Sequence, residues 1–288
     1  MHITLLLITL ISTHMLRLLS SFALISIIFV SCTPNHVNED ASLQKYFDQY
    51  KLNGTFGLFD NGTGEFYIYN LTKFSDSAVS PASTFKIINS LIGIETGVVA
   101  NDSTIFEWDG KPSGRPACDS ALTMKNAFQI SCLSWYQQLA RKIGKEKMQY
   151  YLDTLGYGAH PNKFKITGAV DSFWIDESVK VTADEQLGIV KKLYFDQLPF
   201  QKRTQKIVKN MMLREDNANY KLSYKTGLSE TANGHQTGWI IGWIEENEHP
   251  YFFSLEVETN DTVPSIAEAR LQLLKDILKH YGYMSGKK

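Results

Sequence analysis

The runs that favour β-structure in this chain lie at its two ends, and the middle is helical in pattern. Near the start, residues 55–59 (Thr-Phe-Gly-Leu-Phe) and 65–69 (Glu-Phe-Tyr-Ile-Tyr) flank Asp60-Asn61-Gly62-Thr63-Gly64. Two β-rich runs around an Asn-Gly turn predict a hairpin. Near the end, residues 223–225, 238–245 and 251–258 return to β character, the last two rich in Trp, Ile, Phe and Val. Strands at both ends imply one antiparallel sheet assembled from both termini, flanked by helices, with an all-helical part inserted. The fold class is therefore mixed α/β, of the α+β kind. Residues 41–78 and 205–288 would form the α/β part and 79–204 the helical part of one domain, 41–288.

Helical spacing of apolar residues places the helices. Residues 42–50 carry Leu43, Tyr46, Phe47 and Tyr50 on one face. Residues 122–144 read as one long helix through Met124, Ala127, Phe128, Cys132, Tyr136, Leu139 and Ile143. Residues 145–155 and 183–195 are two more, and 266–281 is a closing helix. Between them, 156–162 is loop by its Gly and Pro content.

Residues 1–31 are almost entirely apolar, with Arg17 as their only charged residue. The run from Ser20 to Ser31 ends abruptly at Cys32-Thr33-Pro34, as a signal peptide ends at its cleavage site. A small residue before a cysteine resembles the bacterial lipoprotein signal, which would make Cys32 the lipidated first residue and 32–40 a tether. The other reading is an uncleaved anchor. Met15-Leu16-Arg17 also offers an alternative start. Either way the body is expected to be exported to the periplasm of a bacterium, held to a membrane only by that anchor. In an oxidising compartment Cys118 and Cys132 could pair, or stay as two thiols. A net charge of −1, with no basic run before the last two lysines, argues against a nucleic-acid partner. Oligomeric state is not legible.

Pro81-Ala82-Ser83-Thr84-Phe85-Lys86 opens an apolar run that ends at Glu95-Thr96-Gly97. Ser83 and Lys86, three apart, share one face of a helix's first turn. A lysine in an apolar helix is cheapest as a neutral amine, and a neutral amine beside a serine makes a nucleophile. Ser-x-x-Lys alone is weak: Ser42/Lys45 and Ser285/Lys288 repeat it in polar settings. Behind Ser83, in order, come Ser131-Cys132-Leu133, then Lys225-Thr226-Gly227, then Arg270 in the last helix. Read singly, Ser131 is an ordinary helix serine, Trp174 a core aromatic and Arg270 a solvated helix residue.

Together these motifs resemble the class D, or oxacillinase-type, serine β-lactamases over essentially the whole mature chain. Phe173-Trp174-Ile175, Gln186, Lys191-Lys192-Leu193-Tyr194 and Trp239-Ile240-Ile241-Gly242-Trp243-Ile244-Glu245 extend the likeness. The resemblance implies hydrolysis of a small-molecule β-lactam through an acyl-enzyme on Ser83. It implies no cofactor beyond CO2, carried on Lys86 as a carbamate that serves as general base. Leu133 and Ile175 would wall that group, and Trp174 would donate its indole N–H to it. Ser131 would relay a proton, and the backbone N–H groups of Ser83 and Leu228 would form the oxyanion hole. Lys225, Thr226, Gly227 and Arg270 would hold the substrate. Two departures stand out: Ala159 replaces a family Asn and Leu133 a family Val. Rivals on the same fold are a penicillin-binding D,D-peptidase and a non-hydrolytic β-lactam sensor. No His-Glu-x-x-His and no Gly-x-Ser-x-Gly is present, which speaks against those metallohydrolase and α/β-hydrolase motifs.

Overall fold

The computed structural model describes residues 36–158, 162–231, 233–259 and 265–288. The signal segment, Cys32, the start of the tether and Ala159 lie outside the described residues. Residues 37–288 form one compact unit. Its strands are β1 (His36–Glu39), β2 (Asn53–Asp60), β3 (Glu65–Tyr69), β4 (Ile105–Phe106), β5 (Leu122–Thr123), β6 (Leu213–Asp216), β7 (Lys221–Glu230), β8 (Gln236–Glu246) and β9 (His249–Thr259). Its α-helices are α1 (Gln44–Gln49), α2 (Leu71–Asp76), α3 (Lys86–Glu95), α4 (Met124–Gln129), α5 (Leu133–Ile143), α6 (Lys145–Leu155), α7 (Ala183–Tyr194), α8 (Lys202–Met212) and α9 (Ile266–His280).

Seven strands form one sheet in the order β1-β3-β2-β9-β8-β7-β6. The hairpin β2–β3 is antiparallel, and β2 meets β9 with Phe56 opposite Leu255. That pairing joins the two ends of the chain, as their strand patterns require. On one face Phe253, Leu255, Val257, Ile240 and Ile244 pack under α9 and α1. On the other, Trp239, Ile241, Trp243 and Phe252 face the helices of the inserted part. Because both faces are covered, β8 and β9 are buried along nearly their whole length without alternation, the polar Ser254 and Glu256 of β9 included. β7 extends beyond its β-like core at 223–225 to Lys221 and Glu230, and its buried positions include the polar Ser223 and Lys225.

Two features depart from the sequence pattern. The single helix expected over 122–144 is a short β5, then α4 and α5, separated at Ile130-Ser131-Cys132. Ser131 takes φ +60, and the Cys132 N–H returns to the Ala127 carbonyl at 2.8 Å. The carbonyls that α4 leaves free at its end are taken by two guanidinium groups from distant segments. Arg115 Nη2 donates to Ile130 O at 3.0 Å and Arg214 Nη1 to Gln129 O at 3.1 Å. Helix α8 was not foreseen because its buried face begins with polar residues. Thr204 Oγ1 donates to Glu95 Oε2 at 2.6 Å, and Gln205 Nε2 to the carbonyls of Leu198 and Phe200 at 3.1 and 2.8 Å.

Arg214→Ala should therefore lower stability by about 1.5–3 kcal/mol, the range for a buried hydrogen bond from a charged group. Thermal unfolding measures it. An unchanged midpoint would mean that the break around Ser131 does not need that guanidinium.

Candidate active site

Ser83 stands on a 3-10 turn, Ala82–Phe85, that runs into α3. Ala82 before it has φ +48, a backbone state that costs a non-glycine residue about 1–3 kcal/mol. The turn is held from several sides. Thr84 Oγ1 donates to Pro81 O at 2.7 Å, and Gln186 Nε2 of α7 donates to Thr84 Oγ1 at 2.7 Å. Trp239 Nε1 of β8 donates to Ser80 O at 2.9 Å, and Ser80 Oγ to Trp174 O at 2.9 Å. The nucleophile's position is thus fixed by the sheet and by the helical part together.

Lys86 follows at the head of α3 and is completely buried. Its Nζ lies 2.6 Å from Ser83 Oγ and 5.6 Å from the centre of the Tyr136 ring. Among the described residues no carboxylate forms an ion pair with it. Burial pushes the amine down to about 7; the Cys132 thiol works against this and positive Arg115 with it. At neutral pH a large share of the amine is therefore uncharged, and an uncharged nitrogen at this distance can take the serine proton.

A second lysine–serine pair faces the first. Lys225 Nζ of β7 donates to Ser131 Oγ at 2.9 Å and to Thr226 O at 2.8 Å. Lys225 is also fully buried, and burial, then the nearby charge of Lys86, holds its amine well below the usual lysine range. The α4–α5 break explains how Ser131 arrives there: in an unbroken helix its hydroxyl would fall back on its own turn. Ser131 is therefore outside both helices, and its hydroxyl meets Lys225.

The end of β7 packs directly on the nucleophile turn. A Cβ on Gly227 would come 2.9 Å from Pro81 O and 3.2 Å from the Thr84 methyl. Gly227→Ala should therefore displace β7 from Ser83 and cut kcat/KM at least about tenfold, the scale of a misplaced reacting group. Steady-state kinetics checks this; wild-type values would mean that the strand end plays no part in catalysis. Arg270 reaches the same place from α9, its Nη1 donating to Gly227 O, past Gly238, where a Cβ would crowd its Cδ at 3.2 Å. It is 6% exposed, not solvated, and burial lowers its guanidinium to about 10. Among the described residues its buried Nε has no hydrogen-bond partner.

The remaining expected residues fall around this centre. Trp174 stacks on Phe85 with ring centres 5.1 Å apart, and among the described residues its fully buried Nε1 has no hydrogen-bond partner. Ile175 is half-buried and Leu133 is 37% exposed, so Leu133 is no sealed wall. Tyr136 is the aromatic cover over Lys86, held by its hydroxyl 2.8 Å from Ser90 Oγ. Leu228, 42% exposed, sits one residue past Gly227 on β7. Cys118 and Cys132 are free, buried thiols. Sequence reasoning missed Ser80, Tyr136, Arg115 and Arg214. Nothing local marks them, since each acts on a segment far along the chain. Among the described residues, no three His, Cys, Asp or Glu side chains gather as metal ligands would.

A penicillin-binding protein transpeptidase domain matches residues 45–279. The chain is 33% identical to β-lactamase OXA-48 of Klebsiella pneumoniae over 268 residues, 92% of this chain and 97% of that protein. A crystal structure of a class D β-lactamase from Sebaldella termitidis superposes with a TM-score of 0.81 at 31% identity, covering 88% of this chain and 100% of that one. The C-terminal domain of the Bacillus licheniformis BlaR penicillin receptor is similar too, with a TM-score of 0.80 at 25% identity over 87% of this chain and 98% of that one. With two buried lysine–serine pairs meeting at one strand end and relatives of this kind along its length, the chain belongs to the class D β-lactamase family.

Proposed function

We propose that this protein hydrolyses β-lactam antibiotics through an acyl-enzyme on Ser83. The observation that carries the reading is Lys86: fully buried, without an ion-pair partner among the described residues, and 2.6 Å from the Ser83 hydroxyl. Ser83 Oγ attacks the lactam carbonyl and loses its proton to the base at Lys86. The backbone N–H groups of Ser83 and Leu228 take the developing oxyanion, each such donor being worth roughly 3 kcal/mol. Ser131, fed by Lys225, passes a proton to the departing ring nitrogen, and water then releases the acyl group. Lys225, Thr226, Gly227 and Arg270 hold the substrate carboxylate, with the spare Nε–H of Arg270 available to it.

Lys86 carries CO2 as a carbamate, which supplies a carboxylate base for both steps. Two features support this. Carboxylation needs an uncharged amine, and burial provides one. The orphaned Trp174 Nε1–H is a buried donor lacking the acceptor that a carboxylate would be. The protein is exported as a periplasmic lipoprotein on Cys32, on the strength of residues 20–32, and Cys32→Ala should free it from the membrane fraction.

The purified protein should turn over a chromogenic cephalosporin many times per molecule, faster with added bicarbonate. A single stoichiometric burst with no further turnover would overturn hydrolysis and favour a sensor, like the BlaR domain, or a D,D-peptidase.

A further inference from the structure

The middle residue of the Ser131 motif is a cysteine, and a second cysteine is packed against it. Cys118 ends a 3-10 turn, Pro116–Cys118, that lies against the start of α5. Arg115, one residue before that turn, ties it to the α4–α5 break by its 3.0 Å bond to Ile130 O. Cys132 Sγ lies 3.4 Å from Ser134 Oγ, and Cys118 lines a small surface cleft together with Ser134 and Trp135. Ser134 is therefore a neighbour of both cysteines. Both belong to one apolar cluster, at 4% and 0% exposure. Two thiols brought into one apolar cluster around Ser134, on segments 14 positions apart in sequence, are neighbours that a cross-link could join.

We propose that Cys118 and Cys132 are a disulfide-forming pair, and that the bond braces the backbone break that presents Ser131 to Lys225. The step is thiol–disulfide exchange with a low-molecular-weight disulfide. One protein thiolate attacks a donor sulfur, giving a mixed disulfide and one free donor thiol. The second protein thiolate attacks the protein sulfur of that adduct and expels the other donor thiol. Two protein thiols lose two electrons and two protons; one donor disulfide becomes two thiols. Burial keeps the Cys118 thiol protonated in the folded protein and so unreactive, its acidity pushed to about 12. The bond therefore forms while the chain folds, before the cluster closes. The closed loop contains Ser131 and the capped end of α4, so the cross-link and the two arginines restrain the same short segment. The proposal does not depend on hydrolysis, since it concerns only the two thiols and the stability of that segment.

The test refolds the full chain carrying Cys32→Ser, so that only this pair is counted, with oxidised glutathione or with a reductant. The oxidised protein should be monomeric, about 2 Da lighter, free of thiols titratable in denaturant, and should unfold several degrees higher than the reduced one. Adding Cys118→Ser should remove the mass change and the difference between the two buffers. Two titratable thiols after oxidative refolding, glutathione adducts alone, or an oxidised form that unfolds at the same or lower temperature would each overturn the proposal. Hydrolysis of a chromogenic cephalosporin by both forms is read separately, and its absence in both would count against the proposed function alone.

Discussion

Lys86→Met leaves a protein that a penicillin acylates slowly and that then fails to release it. The nucleophile, the Ser131–Lys225 pair and the strand end remain, so binding and a slow attack persist. What disappears, on the proposed mechanism, is the base that activates water for deacylation, a contribution of about 10²–10⁴-fold for a positioned general base. Intact mass should show the acyl adduct persisting on the variant while the wild type returns to its free mass. Rapid release from the variant would remove Lys86 from deacylation. The same substitution has a stability signature, because Lys86 sits uncharged at a pH where the unfolded chain protonates it. Its amine falls from 10.5 to about 7 on folding. Between those values the unfolded state binds the extra proton, so stability rises with pH, by up to roughly 1.4 kcal/mol per unit. In CO2-free buffer the wild type should therefore gain midpoint temperature from pH 7 upward relative to Lys86→Met. Below pH 7 the amine becomes charged and, on the proposed mechanism, carboxylation is lost, so wild-type activity should fall on the acid side of neutrality.

Ser83→Ala should abolish turnover. Removing the nucleophile of a serine hydrolase costs about 10⁶ in kcat, with the residual rate coming from binding and the oxyanion donors. No adduct should appear by mass, while substrate binding persists, because Lys225, Arg270 and Gly227 are untouched. The strained φ of Ala82 and the hydrogen bonds at Thr84 and Ser80 do not involve the Ser83 hydroxyl, so the variant should fold normally. An adduct on the variant would place the nucleophile elsewhere.

How much of this was legible in the sequence follows from how local each feature is. The β2–β3 hairpin was readable because a turn and its two strands are neighbours. Helices α6, α7 and α9 were readable because their apolar faces are periodic within one segment. Ser83 and Lys86 are one turn apart, so their meeting was implied by spacing. Ser131 was found by its order in the motif set, but its setting was not. The break beside it is stabilised by guanidinium groups of Arg115 and Arg214, and no window of sequence around 122–144 contains them. Helix α8 was hidden for a related reason: Thr204 and Gln205 are buried through hydrogen bonds made elsewhere in the chain, which hydrophobic periodicity does not register. Tyr136 was counted as core and is core, yet it also covers the Lys86 amine. Arg270 looked like a solvated residue because nothing on α9 shows that the strand end of β7 lies within its reach.

The account turns on a buried, uncharged Lys86 being the place where CO2 is held. Equilibrating the protein with ¹³C-bicarbonate and recording its ¹³C spectrum tests this most directly. A carbamate resonance should appear, vanish in Lys86→Met, weaken as pH falls below 7, and rise and fall together with the rate of β-lactam turnover. Full turnover in a sample that shows no carbamate resonance would contradict it.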